Sequence, residues 1–168
     1  LAGNIRAQVP TFSNANTGGT GNAFPMNATG LTTQMVQWCI PPNTLFNGAV
    51  PVGPGNNITV VYFQTGTGVT KTYPNIVVKL KQGTTAGLTG VAAGAPEASM
   101  TTVYSGTNVT VTSTANGWIA FTLQTPFLYD PTFPLFVELG QNSPVFSGGP
   151  TVLQSAFAYA GNGRQWCD

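Results

Sequence analysis

The chain has 168 residues and a formal net charge of +1, and only 5% of its residues are charged, against about 25% in an ordinary soluble domain. With no His and only two Cys, it supplies neither a Ser-His-Asp nor a Cys-His catalytic group, nor a zinc site built on His or four Cys. Near neutrality, with its five basic residues mostly scattered, it lacks the positive field that draws nucleic acid, and so little repulsion between copies favours self-association.

Surface polarity is uncharged instead: Thr, Asn, Gln and Ser together make up 55 of the 168 residues. Residues 1–9 alternate strictly, with Leu1, Gly3, Ile5, Ala7 and Val9 on one face and Ala2, Asn4, Arg6 and Gln8 on the other, until Pro10 ends the run. This predicts an extended β-arm over residues 1–12 with one face meant for burial. Ser13–Asn22 is polar and Gly-rich and reads as a flexible tether spanning roughly 15–20 Å, part of a linker over 13–30. Two readings of the arm are open: the first strand of its own domain, or a donor strand completing a sheet of another copy through Leu1, Ile5, Ala7 and Val9. The second contact is head-to-tail and propagates as a filament unless it closes.

From residue 31 onwards, β-branched and aromatic runs bounded by Gly, Pro and Asn recur, and helical periodicity is hard to find. Strands are predicted over 33–39, 58–65, 76–81, 101–104, 108–112, 117–123, 135–139 and 152–159. That number and length predict an all-β domain over 31–168, a two-sheet antiparallel β-sandwich of jelly-roll-like or Ig-like type. No run approaches the 18 or so apolar residues of a membrane-spanning helix, so membrane insertion is not expected.

Gln-Trp-Cys occurs at 37–39 and again at 165–167. Cys39 and Cys167 are the natural disulfide pair; within one chain the bridge closes a loop of about 130 residues, worth up to roughly 4–5 kcal/mol, while between chains it staples subunits. The two Cys, the start at Leu1 rather than Met, and the sequons at Asn27, Asn57 and Asn108 suit a secreted protein. Four carboxylates, Glu97, Asp130, Glu138 and Asp168, leave Asp130 with Glu138 as the one conceivable hydrolytic pair. An Asx-type turn accounts for Asp130 and pairing with a scarce Lys or Arg for Glu138, so no enzyme is expected and no catalytic residue is assigned. No cofactor is expected either, Asp130 with neutral oxygens being the one candidate calcium ligand. Tyr62, Tyr73 and Tyr129 are candidates for stacking on sugar rings, against the commoner role of core aromatics.

The phrases GNAFPM (21–26), TTVYSG (101–106) and GWIAFTLQTPFLYDPTFPLFVEL (117–139) together resemble a β-sandwich domain that recurs in large secreted and cell-surface proteins of bacteria. The resemblance covers residues 20–168 and implies a non-catalytic module at the bacterial cell surface, in which Trp118, Pro126, Phe127, Tyr129, Asp130, Val137 and Glu138 are structural. The arm departs from that pattern. Together these features predict a structural subunit of an extracellular filament, pilus- or fimbria-like, or of a surface layer, whose partners are copies of itself. The alternative is a carbohydrate-binding or adhesion module of a larger surface protein, with glycans as partners.

Overall fold

The computed structural model describes residues 9–14, 20–22, 25–27, 33–83, 97–142, 148–154 and 163–167. Among these there is no helix. The strands are β1 (Ser13–Asn14), β2 (Thr20–Asn22), β3 (Thr33–Ile40), β4 (Leu45–Asn47), β5 (Val50–Pro51), β6 (Asn56–Gln64), β7 (Thr70–Gln82), β8 (Thr101–Thr112), β9 (Trp118–Tyr129), β10 (Leu135–Asn142), β11 (Val152–Gln154) and β12 (Gly163–Cys167). Every pairing is antiparallel, and the largest sheet has the order β12-β3-β10-β7-β8. A pair, β6-β9, and two small sheets, β1-β4-β5 and β11-β2, complete the set.

The expected all-β chain is therefore found, with several boundaries moved. The predicted strands 101–104 and 108–112 are one strand, β8. Its register against β7 slips between Val78 and Lys79, which pair with Tyr104 and Thr102, so Val103 is a bulge residue and the ladder continues past it. The polar stretch expected to be a tether pairs through its backbone, β1 with β4 and β2 with β11. Within the same predicted linker, Met26 is fully buried in the core. Pairing by main-chain bonds needs no large apolar side chain, so composition alone misread this segment.

One core joins the five-stranded sheet to the β6-β9 pair. Ile76, Val78 and Leu80 of β7 alternate inward with Val137 and Leu139 of β10, and meet Phe63 of β6 and Ile119, Phe121 and Leu123 of β9. A chain of rings crosses the layers: Trp38 to Phe63 at 5.4 Å, Phe63 to Phe121 at 5.9 Å, and Phe121 to Tyr104 at 5.3 Å between centroids. Tilted and edge-on pairs of this kind contribute about 0.5–1.5 kcal/mol each beyond area burial. Leu135–Leu139 is buried on both faces, because β10 lies between β3 and β7 and its outward side is covered by Met100, which packs on Cys39 and Phe136.

Candidate functional site

The outward face of the five-stranded sheet collects four of the chain's nine charged residues. Register sets Glu138 directly opposite Gln37 of β3 and Lys79 of β7, in a row that Thr102 extends to β8. Opposite residues share a face, so three polar groups meet there. Lys79 Nζ lies 2.7 Å from Glu138 Oε1, and Gln37 Nε2 donates to Glu138 Oε2 at 2.6 Å. Glu138 is only 3% exposed; a carboxylate taken from water is tolerated because both oxygens are met by a cation or a donor. The expected pairing of Glu138 with a scarce Lys is found.

Residues 97–100 lie over this row. Gln37 Oε1 accepts the Glu97 N–H at 2.7 Å while Gln37 Nε2 donates to the Glu97 carbonyl at 3.3 Å. Lys81 holds the same segment through Glu97 Oε1 at 2.5 Å and the Ala98 carbonyl at 2.9 Å. The cluster thus assembles a primary amine, a buried carboxylate and a carboxamide whose carbonyl is polarised by a backbone N–H.

Among the described residues, the amide contact of Gln37 is one of three alike. Gln82 accepts from Asp130 N at 2.9 Å and donates to Asp130 O at 2.6 Å. Gln124 accepts from Ser105 N at 3.0 Å and donates to Ser105 O at 2.9 Å. In each case a side-chain carboxamide, with one acceptor and one donor, binds both main-chain groups of a single residue as a neighbouring strand would. Gln124 is freed for this where the β6-β9 ladder jumps from Ile58–Phe127 to Val60–Thr122, next to Pro126, which has no N–H to offer. Sequence reasoning took glutamine as surface polarity; no periodic signal marks these three.

Asp130 sits in the expected Asx turn, its Oδ1 accepting from Thr132 N at 2.9 Å and Thr132 Oγ1 at 2.6 Å. The Thr132 hydroxyl first, then the Thr132 N–H, hold its carboxyl below the usual carboxylate range. Its partners are those of a turn and Glu138's are those of a sheet face, so the two share no site. Among the described residues no group of three or more His, Cys, Asp or Glu converges to hold a metal.

Two of the three candidate sugar-stacking tyrosines need correction. Tyr73 is fully buried, with its hydroxyl on Met26 O at 2.5 Å, and Tyr129 is 2% exposed; neither can offer a ring face to a ligand. Burial pushes the Tyr73 and Tyr104 phenols up, and that of Tyr129 too, with the Asp130 charge adding to it. Tyr62 is half-buried on β6.

The within-chain Cys39–Cys167 bridge also fails on register. β12 pairs with β3 so that Cys167 faces Gln34, five positions from Cys39, or roughly 17 Å along the strand. A disulfide requires Cα atoms within about 7 Å. Of the candidate donor-strand residues, Leu1, Ile5 and Ala7 lie outside the described residues, and Val9 is 80% exposed. No known protein family, curated protein or solved structure matches the chain.

Proposed function

We propose that the chain is a structural subunit of an extracellular filament or surface layer at the bacterial cell surface, joined head-to-tail by donation of residues 1–9 to a neighbouring copy. The five-stranded sheet and the β6-β9 pair are read here as the two layers of a jelly-roll-like or Ig-like sandwich. The observation that carries the proposal is the strict alternation of Leu1–Val9, ended by Pro10, together with the exposure of Val9. An alternating strand needs an apolar surface to cover one face, and the exposure of Val9 favours a partner outside its own sheets. Paired to β4 at Ser13–Asn14, the 12 residues ahead of that anchor reach roughly 40 Å when extended, enough to enter an adjacent subunit.

Scarcity of charge supports the same reading, since copies meet with little repulsion. The alternative, a glycan-binding module, is weakened by the burial of Tyr73 and Tyr129. Negative-stain electron microscopy of the intact chain without added ligand tests the proposal. Filaments or sheets with a regular repeat are expected, and deletion of residues 1–12 is expected to abolish them while the β-rich circular dichroism spectrum is kept. Monomers from the intact chain, or unchanged polymers from the truncated one, overturn it.

A further inference from the structure

We propose that Lys79 and Gln37 are the two ends of a self-catalysed intramolecular amide cross-link, with Glu138 as proton carrier and the Glu97 N–H as the donor that stabilises the oxyanion. The bond forms within one chain and does not depend on assembly. Its parts are all present in the outward row of the five-stranded sheet and in the 97–100 segment that lies over it. Glu138 holds the amine on one oxygen, at 2.7 Å, and the nitrogen that would leave on the other, at 2.6 Å. Both reacting side chains therefore grip a single carboxylate, an arrangement that converts an encounter between two groups into a step within one assembly. Gln37 Oε1, where negative charge develops during attack, already accepts the Glu97 N–H at 2.7 Å. Gln37 is fully buried and Glu138 nearly so, which keeps water from competing for the carboxamide.

Glu138 takes a proton from the Lys79 ammonium, and the freed lone pair attacks Gln37 Cδ, forming the C–N bond as the carbonyl pair moves onto Oε1. Glu138 passes its proton to Nε2, the oxyanion pair returns to the carbonyl, and the Cδ–Nε2 bond breaks with release of ammonia. The second proton lost from the Lys79 nitrogen converts the ammonia to ammonium. Ammonium and carboxamide thus become secondary amide and ammonium, with no change of oxidation state. Because β10 separates β3 from β7, the bond would cross over the central strand and tie its two neighbours together.

The test is the intact mass of the denatured full-length chain, followed by tryptic mapping. The expected mass is lighter than the sequence by one ammonia. Acylated Lys79 resists trypsin, so residues 7–71, which carry Gln37, are expected joined to residues 72–81 as one branched product. Lys79→Arg keeps a cation beside Glu138 but supplies no amine to be acylated, and its expected mass is that of its unmodified sequence. A wild-type chain of unmodified mass overturns the proposal whether or not that variant folds. So does an ammonia loss mapped to cyclised Asn47-Gly48, Asn116-Gly117 or Asn162-Gly163 instead of to a branched product.

Discussion

Replacing Tyr73 with Phe deletes one oxygen from the centre of the core and should alter stability in a way that depends on pH. The ring is fully buried and its hydroxyl donates to the carbonyl of Met26, itself fully buried. Phe preserves the packing but removes that donor, at a cost of about 1–3 kcal/mol. In a chain of this length each kcal/mol shifts the melting temperature by roughly 2–4 °C, so a fall of about 2–12 °C is expected at neutral pH. Burial holds the Tyr73 phenol well above its ordinary range, whereas in the unfolded chain it ionises near pH 10. The stabilisation from the neutral phenol is therefore complete below about pH 10 and drains away above it at roughly 1.4 kcal/mol per pH unit. Phe has nothing to ionise. Urea unfolding followed by tryptophan fluorescence should show the wild type ahead at pH 7 and the gap closing within roughly two units above pH 10. Tyr104 and Tyr129 are present in both proteins and drop out of the comparison. A gap of equal size at pH 7 and pH 11 would refute the reasoning.

Gln82→Ala removes both contacts to the Asp130 main chain and should cost about 1–3 kcal/mol, with faster hydrogen exchange at the Asp130 amide. Gln82→Glu keeps one acceptor but sets a charged oxygen against the Asp130 carbonyl and should cost at least as much as Gln82→Ala; exchange at Asp130 unchanged in both variants would show that the amide contact is idle. Asp130→Ala should lower stability by a constant amount above about pH 5, because a depressed carboxyl stabilises the fold only while the unfolded carboxyl, near 3.9, is also ionised. That difference should vanish as acid protonates the folded carboxyl, and a deficit persisting at pH 2 would assign the loss to turn geometry alone.

What the sequence made legible follows from how each signal is encoded. β3, β6, β7 and β10 were readable because each buries a face through side chains that repeat along the strand, and LFVEL read as an uninterrupted run because β10 is covered on both sides. β4, β5 and β12 were missed: the first two are three and two residues long, and β12 follows a Gly- and Asn-rich stretch that reads as loop. Pairing by backbone bonds leaves no compositional trace. The Asp130 turn and the cation beside Glu138 were foreseen because each is a local or charge-matching requirement. Which lysine would be the partner was not, since it depends on the β7-β10 register. That same kind of information decides against the Cys39–Cys167 bridge: a repeated tripeptide suggests equivalence, but register sets the copies five positions apart. Tyr73 and Tyr129 were misplaced as ligand platforms because an aromatic in a strand carries no mark of which layer it faces.

The contacts made by Gln82 and Gln124 give this fold a chemical lifetime. A carboxamide neither ionises nor responds to ionic strength, so loops held this way stay put through changes of acidity and salinity that would loosen a protein pinned by surface ion pairs. The cost arrives slowly, by hydrolysis. Conversion of Gln82 or Gln124 to glutamate turns a matched donor and acceptor into two acceptors, one of them facing a main-chain carbonyl. Each such event sets a negative charge against the segment it once fastened, so ageing would begin at the joints that resist every faster insult.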